Sequence, residues 1–381
     1  MRASAFRGAA PSTSHFLSMH LSKITLLSIL ALTSRTFACD LCGCYTPRLE
    51  VVHEKPFNFF AGIAEQFTHF GTDRFNGDKV DNPTDQHLDS SITQAIAGVK
   101  FWQNRLGVQA NVPFIYRSYR RPEGFEIEHG DESGLGDVSL LANFVVFKTD
   151  TGHRTESGGF SKDGKRPALA ARGEPDFSAS FNLIAGIKFP TGDTDRLLEE
   201  SEEGHHAAGG GAPAGEEHGQ MGEGHGHEHV KAPANGIHGH DLALGTGSYD
   251  GVFGAQTFVR YQRVFFQADV QYTVRGEGDH SYNFADDLQW RGGPGAYVLR
   301  RGGDSLSVQC VLSGETKGYD TFEGERAVDS GITSLYIGPR VNASFGRFSG
   351  EVEVDLPVIM NTTDFQTTAD YRIRAGISIA F

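Results

Sequence analysis

Tyr371-Arg-Ile-Arg-Ala-Gly-Ile-Ser-Ile-Ala-Phe381, the last stretch of the sequence, alternates strictly and stops on an aromatic residue. Tyr371, Ile373, Ala375, Ile377, Ile379 and Phe381 share one face of a strand, and Arg372, Arg374, Gly376 and Ser378 share the other, because side chains point to opposite faces with period two. Segments of the same kind recur along the chain. Alternation places about twelve strands, near 57–69, 92–102, 105–118, 136–148, 177–189, 251–261, 264–275, 288–300, 304–314, 332–345, 348–360 and 370–381. Most are close to the length a tilted membrane-spanning strand needs, roughly 9 to 11 residues plus loop extensions. The segment at 288–300 carries the poorest pattern, since Gly292, Gly293 and Pro294 interrupt it.

Two strands show the division of faces clearly. From 264 to 275, Phe266, Ala268, Val270, Tyr272 and Val274 oppose Gln267, Asp269, Gln271, Thr273 and Arg275. From 348 to 358, Phe348, Val352, Val354, Leu356 and Val358 oppose Ser349, Glu351, Glu353 and Asp355. Which face turns outward follows from the connections. Tight links (Gln103-Asn104, Gln262-Arg263, Arg301 to Asp304, Gly346-Arg347) alternate with long ones at 71–90, 119–135, 190–250, 276–287, 315–331 and 361–369. Short periplasmic turns alternating with long external loops are the habit of outer-membrane barrels. The link at 150–175 breaks the rule, being long where a tight turn is expected.

The expected fold is therefore all-β: a transmembrane antiparallel up-and-down β-barrel of about twelve strands over residues 57–381, in the outer membrane of a Gram-negative-type bacterium. Closure has a physical cause, since hydrocarbon offers no partner to an unpaired backbone group. Composition agrees: 48 of 381 residues are Gly, mean hydropathy is -0.33, and no stretch reaches the roughly 18 to 20 apolar residues of a spanning helix. A net charge of -14 argues against nucleic acid as a partner. The expected partners are outer-membrane lipid and a small solute.

The N-terminus reads as an export signal over 1–38. Lys23 precedes the apolar run from Ile24 to Leu32, and Thr36-Phe37-Ala38 offers small residues for cleavage before Cys39. Met19 is an alternative start. Acylation of Cys39 is a second reading, although Thr36 and Phe37 fit a lipoprotein signal poorly. Residues 39–56 then form a Cys-containing periplasmic segment.

Gly134-Leu-Gly-Asp-Val138, Ala185-Gly-Ile-Lys-Phe-Pro-Thr-Gly-Asp193 and Leu244-Gly-Thr-Gly-Ser-Tyr-Asp250 occur in that order. Together with the terminal Phe381 they resemble the pattern of outer-membrane transporters of the phenol meta-pathway degradation family, from about Pro56 to Phe381. The resemblance implies a barrel that passes small, often apolar, molecules, and the terminal aromatic implies recognition of the last strand by the barrel-assembly machinery. Read from the residues alone, the glycines fit strand ends that need positive φ and tight turns, and no ligand role is assigned to them.

Residues 204–240 hold eight of the sixteen His: His205, His206, His218, His225, His227, His229, His238 and His240, among glycines and carboxylates. The composition predicts a solvated external loop, and closely spaced imidazoles suit Zn, Ni or Cu(II). No cofactor is required by the rest of the chain. Cys39, Cys42 and Cys44 offer three thiols that either bind a soft metal or form a disulfide. On the expected lumen face, Glu351, Glu353 and Asp355 lie between Arg340 and the pair Arg372 and Arg374. Opposite charges on adjacent strands read as pairing rather than as a selective ring.

These features favour an outer-membrane channel or transporter for a small solute, linked to transition-metal handling through the His-rich loop. One alternative is a metal-capturing surface protein anchored by its barrel. A second, a lipase-like enzyme on the barrel wall, lacks a nucleophile motif beside His53, His69, His87, His129, His153 or His280.

Overall fold

The computed structural model describes residues 58–151, 176–200, 233–301 and 304–381. The leader, Cys39, Cys42, Cys44, the interior of the 150–175 link and the six His from His205 to His229 lie outside the described residues. In chain order the strands are β1 (Phe59–Phe75), β2 (Asp78–Lys79), β3 (His87–Phe101), β4 (Leu106–Glu123), β5 (Glu126–Leu135), β6 (Ser139–Thr151) and β7 (Phe177–Lys188). They continue with β8 (Asp250–Tyr261), β9 (Val264–Val274), β10 (Tyr282–Asn283), β11 (Asp287–Arg301) and β12 (Asp304–Lys317). The last are β13 (Thr321–Phe322), β14 (Glu325–Arg326), β15 (Ile332–Phe345), β16 (Phe348–Thr362) and β17 (Phe365–Ala380).

The main sheet has fourteen strands, of which β2 and β5 are side extensions; the remaining twelve form an antiparallel series whose last member, β17, pairs back onto β1. The seam runs from Phe60 opposite Ala380 to Phe75 opposite Phe365, and Phe381 N–H donates to the Phe59 carbonyl at 2.8 Å. No edge remains open, which is what hydrocarbon demands. The tight turns use left-handed residues, φ being 53° at Gln262 and 61° at Gly346, as hairpins of matching twist require.

β1, β3, β4, β12, β16 and β17 run past the expected limits at their outer ends, whereas β6, β7 and β9 stop short of them. The link expected at 119–135 is a hairpin, with β5 paired to β4 from Glu123 opposite Glu126 to Phe114 opposite Leu135. Its strand is charged along much of its length (Glu126, Glu128, Asp131, Glu132), so it carries no apolar face to betray it. The interrupted segment at 288–300 is a continuous strand, β11. Gly295 leaves room there for the Phe265 ring, which an added Cβ would meet at 2.3 Å, and Gln309 Nε2 donates to the Gly293 carbonyl.

Outward residues are apolar: Ile63, Phe253, Phe266, Val270, Val352, Leu356 and Ile377 are all exposed. Inward residues such as Gln94, Gln271, Thr273, Glu353 and Arg374 are buried. One sector departs from this. Near the seam the outer wall carries Glu65, which accepts from Ser91 and Thr93, and His69, whose Nδ1 lies 2.6 Å from Asp89 and whose ring stacks on Tyr371.

Within the long link expected at 190–250, the described residues that precede β8 fold back into the barrel. Residues 234–246, with a one-turn helix α1 (Gly239–Leu242), cross the outer end of the lumen. Ile237 and Leu242 are fully buried there against Phe70, Leu88, Tyr119, Tyr336 and Met360, side chains supplied by five strands of the wall. Leu244 packs on Ile92 and Ile115. Backbone groups of this plug are taken up by the wall: Gly236 N–H donates to Gln86 Oε1, the Gly236 carbonyl accepts from Thr367 N–H, and Arg117 donates to the Ala243 carbonyl.

The lumen and its plug as the candidate functional site

The lumen below the plug is crossed by ion pairs. The antiparallel register sets Arg340 opposite Glu353, Glu353 opposite Arg374 and Asp355 opposite Arg372. Arg374 binds Glu353 at 3.0 Å and also Asp355 and Gln66. Arg340 pairs with Glu351 and lies 3.5 Å from Glu353, while Arg372 reaches Glu315 at 3.6 Å and covers the Tyr336 ring at 4.4 Å. Arg291 adds a further cation, 3.6 Å from Glu353 and 3.4 Å from Asp269. All six charged residues expected in the lumen are brought together; Arg291, Asp269 and Glu315 join them. Asp269 was legible by the same rule, whereas Glu315 was expected in the 315–331 link and falls inside β12, and Arg291 lies in the segment whose alternation Gly292, Gly293 and Pro294 interrupt.

The three Gly-rich stretches meet in space. Asp137 accepts from the backbone N–H groups of Thr191, Gly192 and Thr246, and from the Thr246 hydroxyl. Lys188 lies 3.1 Å from Asp137 and 3.5 Å from Asp250, and Arg275 joins Asp250, at 2.6 Å, to Asp287. Most of these glycines do not serve positive φ, as the sequence suggested; only Gly247 has it, at 69°. Gly192 and Gly245 instead let two backbones touch, since a Cβ on Gly192 would lie 2.6 Å from the Leu244 carbonyl oxygen, and one on Gly245 2.7 Å from Asp137. The motifs are a clamp that holds the plug's exit to the wall.

On the outer side of the plug, Arg121 binds Glu128 at 2.7 Å and Glu199 at 2.8 Å, and Arg196 binds Glu132 and the Tyr119 hydroxyl. Beside them sits a buried His pair. His238 and His240 were expected on a solvated loop, but both are buried in the plug, because they flank the apolar residues that seat it. Their rings stack at 5.5 Å with 7° between planes, and His240 stacks further on Tyr282. Glu200 accepts from both the backbone N–H and Nδ1 of His240 at 2.8 Å. Burial alone would lower the His240 pKa, but Asp241 and Glu200 raise it to about 10. Burial would raise Glu200, yet the His240 charge holds it at about 2. Glu200 and Asp329, 3.2 Å from His238 Nε2, carried no signal in the sequence.

A cavity of about 70 Å³ remains inside the barrel, walled by Phe258, Phe265 and Tyr297 on one side and by Arg340, Asn342, Ser344 and Ser378 on the other.

A closed antiparallel ring with an apolar exterior and an ion-paired interior defines a transmembrane β-barrel of the outer-membrane class. Its fold is similar to that of an outer membrane channel from Pseudomonas putida F1, with a TM-score of 0.53 and 12 % identity over 88 % of this chain and 100 % of that one. The β domain of the Bordetella autotransporter BrkA (TM-score 0.37, 11 % identity, 85 % of this chain and 100 % of that one) and a Pseudomonas aeruginosa FadL homologue (0.29, 8 %, 85 % and 90 %) resemble it more remotely. No protein-family model matches the chain, and no curated protein matches it.

Proposed function

We propose that the chain is an outer-membrane channel for a small solute, closed at its outer end by the plug, and that the His-rich segment links it to transition-metal handling. The observation that carries this reading is the cavity of about 70 Å³ inside the barrel, with aromatic rings facing hydroxyl, amide and guanidinium groups. Such a lining suits a small, largely apolar molecule bearing one hydrogen-bonding group. The resemblance to transporters of the phenol meta-pathway degradation family supports the same class of solute. Uptake of phenol and of a charged aromatic of equal size into proteoliposomes tests it, with Leu242→Ala as a variant whose plug is loosened. Faster phenol entry through the variant is the expected result; no entry through either form would remove the channel reading. The second reading, a metal-capturing surface protein anchored by its barrel, is favoured by the buried His pair and predicts metal capture without flux.

A further inference from the structure

We propose that His238, His240 and Asp241 hold one divalent transition-metal ion inside the plug, with Glu200 and Asp329 orienting the two imidazoles. This deepens the metal-handling reading above but uses none of residues 201–232. The three side chains present one donor atom each within 4.8 Å of one another. His240 Nε2 lies 3.4 Å from Asp241 Oδ1, and His238 Nδ1 lies 3.8 Å from Asp241 Oδ2. Two donors held at about 2.1 Å from a tetrahedral ion stand roughly 3.4 Å apart, so small adjustments bring all three into one shell.

The far nitrogen of each ring is already committed. His240 Nδ1 is 2.8 Å from Glu200, and His238 Nε2 is 3.2 Å from Asp329. A carboxylate behind each imidazole fixes its tautomer and aims the other nitrogen at the metal, the arrangement that surrounds ligating His. Asp241 is fixed as well, accepting from the His238 backbone N–H at 2.9 Å. His238 Nδ1 is buried without a hydrogen bond of ordinary length, its nearest carboxylate oxygen being Asp241 Oδ2 at 3.8 Å, so it is free to turn to a metal ion. Three carboxylates (Glu200, Asp241 and Asp329) against two imidazoles leave a net negative charge in either protonation state of the rings, which a divalent ion offsets. Below His240 and Asp241 a cavity of about 20 Å³, edged by Glu315 and Lys317, has room for one water as a further ligand. Two nitrogens and a carboxylate select Zn, Ni or Cu(II) over Mg or Ca.

The site is tested in the full chain with His205, His206, His218, His225, His227 and His229 all changed to Ser and Cys39, Cys42 and Cys44 changed to Ala, stripped with chelator and checked for heat-modifiable mobility. Calorimetry with Zn²⁺ and absorption with Co²⁺ should each show one equivalent, with a visible ligand-field band for Co²⁺. Adding His238→Gln or Asp241→Asn should abolish that equivalent, and Asp329→Asn, which preserves shape, should weaken it about tenfold to a hundredfold. No binding by the six-Ser chain, or binding unchanged by Asp241→Asn and Asp329→Asn, would reduce the cluster to ion pairs and overturn the proposal. Flux through the same proteins decides the channel reading separately, so either can fail without the other.

Discussion

Strand β9 and the plug bury opposite kinds of side chain. In β9 the exposed residues are Val264, Phe266, Val270 and Val274, and the buried ones are Gln271, Thr273 and, at the strand's inner end, Phe265. In the plug Ile237 and Leu242 are buried, as in any soluble core. The wall answers to lipid outside and to a polar interior; the plug answers to water above and to its own apolar contacts. Two parts of one chain are thus held by different forces, and they should fail differently.

The largest effect is expected inside the wall. Arg374→Ala leaves Glu353 and Asp355 buried with their shared cation gone, which should cost about 3–5 kcal/mol and appear as a lowered denaturant midpoint of the folded barrel. If the midpoint is unmoved, the lumen web does not hold the wall together. Next comes the lipid face, where Val270→Arg or Val352→Arg should cost roughly 2 to 4 kcal/mol and reduce the heat-modifiable species in membranes. Gln271→Arg, on the other face of the same strand, should assemble better than Val270→Arg; equal yields would count against the outward sense of the apolar face.

The plug should respond on another scale. Leu242→Ala removes a fully buried side chain, worth about 2–5 kcal/mol in a cooperative core, yet a plug that opens as its own unit leaves the wall's midpoint nearly unchanged. Hydrogen exchange at residues 236–246 should rise while exchange in β9 and β16 stays slow. Uniform acceleration in both would merge the two regions into one. The smallest thermodynamic effect is expected for deletion of Phe381, whose main-chain bond to Phe59 is worth about 1 kcal/mol. Its loss should show instead as less barrel reaching the outer membrane.

The wall was legible because period-two alternation survives wherever one face meets lipid. Val264 to Arg275 and Phe348 to Val358 declare themselves, and the lumen charges follow by sharing the other face. β5 was hidden, since Glu126, Glu128 and Glu132 lie on a strand with no apolar face. The plug was hidden for another reason: Ile237, Leu242 and Leu244 are scattered among glycines and histidines, too few to set a period. His238 and His240 could be singled out by residue type, but not their burial. Glu200 and Asp329 come to them from 40 and 89 positions away from His240 in the chain, a distance that no local pattern spans.

The polar sector at the seam makes the barrel's circumference unequal. Hydrocarbon beside Glu65, His69 and Asp89 meets groups that satisfy one another but offer it little to wet, whereas the arc from β8 to β16 presents an apolar surface. A cylinder of uniformly alternating strands would be indifferent to rotation about its axis. This one has a front and a back, and the joint where the first and last strands are stitched together marks the front.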